Sequence, residues 1–306
     1  MRRVTRIVVR RRQGPMPVLL TLLSSVVSGP RGVAQEVPIS TLPTVDRVLA
    51  DTPTLVYSVG RAGGEHWEMF YRIGDMSFDR SDNLYVLDGG NNRVVQFDAQ
   101  GRFVRTFGRD GHGPGEFTGP QHLVVSSVGE VVVNDAGRTL IAFKDGEYSR
   151  SASYRDIEGL STGIGAGADG GVCWLSEAYP FGNDSASASV WCHNLDNGGV
   201  PTVVTRVSID PLREISVGDM VVRRRPVYGS APRFGMLPNG RIVFHYGIDY
   251  RLTVLDRHGR VEQEIRREID ARTVTSQDRE AWLKEQEALA LPPFWWVAGH
   301  ARRPSG

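Results

Sequence analysis

Residues 81–120 read SDNLYVLDGGNNRVVQFDAQGRFVRTFGRDGHGPGEFTGP, and their punctuation decides the fold. Apolar runs at 84–88, 94–98 and 103–107 alternate with turn-forming clusters at 89–92 and 99–101. Short runs rich in Val, Leu, Tyr and Phe, bounded by Gly, Asn and Asp, are the mark of strands joined by tight turns. Residues 73–78 add a strand upstream, behind the turn Arg80, Ser81, Asp82, Asn83. Four short strands in succession predict an antiparallel meander.

The meander recurs. Gly60, Arg61, Gly63 and Glu68 match Gly108, Arg109, Gly111 and Glu116 at a spacing of 48 residues. SDNLYVLD, ending at Asp88, is answered by VGEVVVND, ending at Asp135, and RVVQFD at 93–98 by TLIAFK at 139–144. Strands are expected in this second unit at 122–126, 130–134, 139–143 and 147–151. A third, degenerate unit surrounds 170–174 and Trp191, and a fourth has strands at 241–246, 250–256 and 260–265. Units of about 40–50 residues with four strands each are the pattern of β-propeller blades. Each sheet is apolar on both faces and can bury them only by stacking against others around an axis.

The stretch at 82–120 resembles an NHL repeat of the six-bladed β-propeller class, closely over residues 72–120, less so to 151, and loosely to 267. The resemblance implies an all-β propeller, four blades recognisable and six expected. It also implies that Asp88, Asn92 and Arg93 are structural, with Asp88 accepting turn amides and Arg93 pairing with it or stacking between blades. The second unit departs, having Gly137 and Arg138 where the first has Asn92 and Arg93.

Outside the blades, residues 1–35 read as a signal peptide. Arg2, Arg3, Arg6, Arg10, Arg11 and Arg12 precede an apolar run at 17–27, and small residues lead to Ala34 and Gln35. That run is too short and serine-rich for a stable membrane span. Residues 36–53 read as a linker and 54–267 as blades, with 54–60 as a strand that closes the ring by joining a blade near the C-terminus. In 268–306 a helix is expected from Ser276 to residue 291, capped by Thr275 and Asp278, with an irregular tail after it. Four units end near Arg267, so the sequence reads as a truncated or frame-shifted propeller. Self-association of partial rings, or one more degenerate blade within 151–232, are the alternatives.

Lys plus Arg is 36 against 35 for Asp plus Glu, a net charge of +1 that gives no reason to expect nucleic acid as a partner. The two cysteines face each other if 172–176 and 188–193 form a hairpin turning at Gly182 and Asn183, with Cys173 opposite Cys192 and Trp174 opposite Trp191. A disulfide and a pair of buried thiols are both open readings.

Seven histidines make no metal-binding motif. His122 and His245, on strands that approach the axis, are the candidates for binding or acid–base chemistry. Two functions are carried forward. The first is a periplasmic or extracellular binding or scaffold module for a protein or small ligand, without a cofactor. The second is a lyase or hydrolase with a divalent metal in the central channel, which would rest on fold alone.

Overall fold

The computed structural model describes residues 7–11, 37–45, 54–136, 138–154, 157, 159–167, 171–179, 186–196, 199–217, 220–224, 231–247, 249–270 and 273–288. The first blade is Ile73–Phe78, Leu84–Asp88, Arg93–Phe97 and Phe103–Phe107, each strand antiparallel to the next. The second is Pro120–Val125, Val131–Asp135, Thr139–Lys144 and Glu147–Ser153. The third is Leu160–Ala166, Val172–Ala178, Ala186–His193 and Thr202–Ile209. The fourth is Arg233–Met236, Ile242–His245, Tyr250–Leu255 and Val261–Arg267. A hairpin, Arg213–Val217 with Met220–Arg224, lies between the third and fourth in the chain, so the described residues of 151–232 form one full blade and this hairpin.

The first strands of the four blades lie side by side in chain order, as propeller inner strands do. Leu84–Asp88 and Arg93–Phe97 are buried along their whole length, which requires both faces of the sheet to be covered. Tyr85, Leu87 and Val94 pack on one side against Leu123, Val133 and Phe143 of the second blade. Leu84, Val86, Val95 and Phe97 pack on the other against Val59 and Phe70. Val132 and Leu140 meet Val172 and Trp174, and Leu175 and Val190 meet Ile242 and Phe244. Apolar burial between blades therefore holds the arc together.

The repeated glycine loops owe their matched residues to one design. Arg61 pairs with Glu68 at 3.0 Å and Arg109 with Glu116 at 2.8 Å. Each glutamate also accepts a loop amide at 2.8 Å, from Glu65 and from Gly113. Gly108 has φ +77°, and a Cβ there would stand 2.2 Å from the Phe117 ring. Only glycine fits such a place.

Two terminal features differ from the sequence reading. Thr54–Val59 pairs antiparallel with Ile7–Arg11 and, among the described residues, with no blade near the C-terminus. The strand that joins the fourth blade comes from the expected linker: Ile39–Leu42 runs parallel to Val261–Arg267. Glu264 N–H donates to the Pro38 carbonyl at 2.9 Å, and Arg267 donates to the carbonyls of Pro43 and Thr44 at 2.8 and 3.0 Å. An outer strand presents unpaired backbone groups, and an extended segment within reach satisfies them. The remainder of 1–35 lies outside the described residues, as do Gly182 and Asn183. The C-terminal helix spans Ser276–Ala288, with Thr275 Oγ1 accepting the Asp278 amide at 3.2 Å and the Asp278 carboxylate accepting the Thr275 amide at 2.8 Å.

Candidate functional site

One corner recurs in every blade, where the chain enters the inner strand and the second strand ends. In register, Ile73 faces Asp88, Pro120 faces Asp135, Leu160 faces Glu177, and Arg233 faces His245. These four polar side chains sit at equivalent places around the strand-start mouth of the arc. The arriving linker brings backbone N–H groups that have no ladder partner there, and a side-chain acceptor is the simplest way to satisfy them.

In the first blade Asp88 does this. Its Oδ1 accepts the Tyr71 and Arg72 amides at 3.0 and 3.2 Å. Its Oδ2 accepts Asn91 Nδ2 at 2.7 Å and Arg93 Nε and Nη2 at 3.1 and 3.0 Å. Asp88 is fully buried and Arg93 is 3% exposed. Arg93 also donates through Nη2 to the carbonyls of His66 and Met69, both at 3.0 Å, and through Nη1 to His66 Nδ1 at 2.7 Å. Asn92 takes a left-handed backbone, φ +50°, which Asn tolerates better than most residues, and donates to Asp110 Oδ1 at 2.7 Å.

The second blade keeps the carboxylate and changes the partners. Asp135 accepts the Thr118 amide at 3.0 Å, the Thr118 hydroxyl at 2.7 Å and the Gly119 amide at 2.8 Å. Its register partner across the turn is Thr139, where Asp88 has Arg93. The third blade uses the longer Glu177, which accepts from the Tyr179 hydroxyl at 2.7 Å and the Thr162 hydroxyl at 3.3 Å. Burial first, then the nearby Tyr246 and Asp210, push the Tyr179 phenol up to about 12.

The fourth blade replaces the carboxylate with an imidazole. His245 Nδ1 lies 2.8 Å from the Arg251 carbonyl. A carbonyl only accepts, so Nδ1 carries the hydrogen and the neutral ring keeps its lone pair on Nε2. Next to it, the Tyr246 oxygen accepts the Asp210 amide at 3.0 Å. Tyr179 and Tyr246 pack against the same core between the third and fourth blades.

His122 stands elsewhere, on the second blade's inner strand, with Nδ1 3.7 Å from Asp75 Oδ2. His122 and His245 are thus on different blades. Among the described residues no three His, Cys, Asp or Glu side chains are grouped so as to hold a metal ion.

Cys173 and Cys192 are bonded across adjacent strands, their Cα atoms 4.0 Å apart, with Trp174 facing Trp191 in the next register pair. The sequence reading named Asp88 but not Asp135 or Glu177. Asp135 was in sight, since it closes the segment that matches 81–88. Glu177 and His66 carried no such signal.

The fold and this repeated corner define a β-propeller protein built of four-stranded blades. Residues 70–153, essentially the first two blades, match the family described as 6-bladed beta-propeller. That family does not carry the NHL-repeat name. Among solved structures, a Bacteroides fragilis protein described as exported aligns with TM-score 0.45 and 13% identity, over 74% of this chain and 59% of its own. A virginiamycin B lyase from Staphylococcus aureus aligns with TM-score 0.40 and 10% identity, over 72% of this chain and 61% of its own. A streptogramin B lyase aligns with TM-score 0.40 and 11% identity, over 72% and 60%. The chain spans about three-fifths of the length of these structures.

Proposed function

We propose that this propeller is an exported binding or scaffold module that takes its ligand at the strand-start mouth, between the third and fourth blades. One observation carries the reading. In the first two blades the mouth carboxylates are taken up by their own linkers, whereas His245 presents an Nε2 lone pair that makes no hydrogen bond among the described residues. A neutral imidazole suits a ligand with a donor group, and the apolar cluster that carries Tyr179 and Tyr246 suits an apolar portion. The Cys173–Cys192 bond supports export, because such bonds persist in oxidising compartments. No helix among the described residues is long and apolar enough to cross a membrane.

Titration calorimetry of the full chain against a set of free amino acids, dipeptides and short oligosaccharides tests the reading. A member of the set should bind, and His245→Ala and Tyr246→Phe should each weaken it about tenfold, or 1.4 kcal/mol, in protein that still unfolds cooperatively well above the temperature of the titration. Absence of binding across the set, or binding indifferent to both substitutions, would remove the site from this mouth. One divalent ion retained per chain, and lost in both His122→Ala and His245→Ala, would put a metal-dependent lyase or hydrolase in its place.

A further inference from the structure

We propose that His66 is an acid-sensitive latch, which fastens the first glycine loop to its blade when neutral and frees it when protonated. The inference stands apart from the ligand site. It starts from the contact of Arg93 Nη1 with His66 Nδ1 at 2.7 Å. A guanidinium has only donors and stays charged at every relevant pH. Nδ1 must therefore be the acceptor, and the ring must be the neutral Nε2–H form.

Arg93 has no freedom to accommodate a change. It is buried, and its other nitrogens are held by Asp88 and by the carbonyls of His66 and Met69. A proton on Nδ1 would set donor against donor and place a second cation beside a buried one. Asp88 cannot offset that charge, because its oxygens already accept from Arg93, Asn91, Tyr71 and Arg72. The other charged groups on the surrounding elements are Arg61, Glu65 and Glu68 on the loop, Arg72 on the linker and Asp110 on the following loop. Glu68 is occupied by Arg61 and by the Glu65 amide, and Asp110 accepts from Asn92. Protonation of the ring and its contact with Arg93 therefore exclude each other.

The ring does not move alone. It belongs to the turn His66–Glu68, whose Trp67 stacks on Phe103 with ring centroids 4.7 Å apart. Release of His66 loosens the cover that Trp67 and Phe70 place over Phe97. The second loop is an internal control. It has the same Arg109–Glu116 clamp, but Pro114 stands 48 residues after His66 and Thr139 faces Asp135 across the turn.

Nitrogen NMR of the full chain at pH 8 should show His66 as the Nε2–H tautomer. From pH 8 to pH 5, hydrogen exchange corrected for intrinsic rates should quicken roughly tenfold at the amides of residues 66–69 and stay level at those of residues 115–117. In His66→Gln, whose side-chain oxygen accepts at any pH, the acceleration should vanish. An Nδ1–H tautomer at pH 8, equal acceleration of both loops, or acceleration surviving in His66→Gln would each overturn the latch. Should that variant fail to fold, the tautomer and the two-loop comparison in the unaltered chain decide.

Discussion

Asp75 Oδ2 accepts the backbone N–H of Leu123 at 3.0 Å, and the two residues are separated by 48 positions, the period of the repeat. Ser77 Oγ accepts the Val125 amide at 3.3 Å over the same spacing. A side chain of one inner strand thus caps the free edge of the next, a backbone edge that no sheet neighbour pairs. Leu123 is buried, so Asp75→Ala leaves its N–H without an acceptor and should cost about 1–3 kcal/mol. Asp75→Asn keeps an acceptor oxygen and should cost less. Urea unfolding followed by circular dichroism measures both, and an Asp75→Ala protein as stable as the parent would contradict the capping role.

The corner carboxylates differ in what they leave behind when removed. Asp88→Ala strands the buried Arg93 charge and should cost about 3–5 kcal/mol. Asp135→Ala removes the bonds from Thr118 and Gly119, whose donors are uncharged, and should cost about 1–3 kcal/mol. The order of the two losses is the test. A larger loss at Asp135 would mean that the Arg93 network does not carry the first blade.

The Cys173–Cys192 bond closes a loop with a sequence separation of 19 residues. By the chain-entropy argument its loss should cost about 3 kcal/mol. The double substitution to serine, compared with the parent in urea without reductant, gives the value. Equal midpoints would show that the packing of the third blade on the fourth suffices by itself.

Acid should weaken the second blade through Glu130. Arg150 holds this carboxyl below its ordinary range by two hydrogen bonds of 2.7 Å, and also reaches Asp196 at 2.7 Å. A lowered carboxyl contributes stability that is fully present above the unfolded value of about 4.3, and that is lost as the pH falls through the folded value. Melting temperatures measured from pH 6 to pH 3 should fall more steeply in the parent than in Arg150→Met, which lacks the pairing. Parallel curves would show that the pair is inert.

The first two blades are legible in the sequence because each turn there is spelled by Gly, Asn or Asp, and each strand by an apolar run. Of the third blade only the two central strands are, at 172–176 and 188–193. Its inner strand, Leu160–Ala166, contains Gly163 and Gly165 and reads as a loop. A Cβ at Gly165 would stand 2.5 Å from Met236 Cγ, so the glycine marks the close approach of the next blade. The inner strand Arg233–Met236 is missed for a related reason, being short and held by its neighbours. Of the site, Asp88 and His245 were visible from strand ends, but His66 sits in a loop where nothing local distinguishes it.

The residue order alone determined the first two strand quartets, the 48-residue spacing between them and the register that sets Cys173 opposite Cys192, because alternation and turn chemistry act between near neighbours in the chain. Tertiary structure decided that Ile39–Leu42 lies on Val261–Arg267, that Thr54–Val59 takes Ile7–Arg11, and that Asp75 reaches Leu123. An unpaired backbone edge accepts whichever donor or acceptor stands beside it in space. That proximity exists only after the blades have stacked.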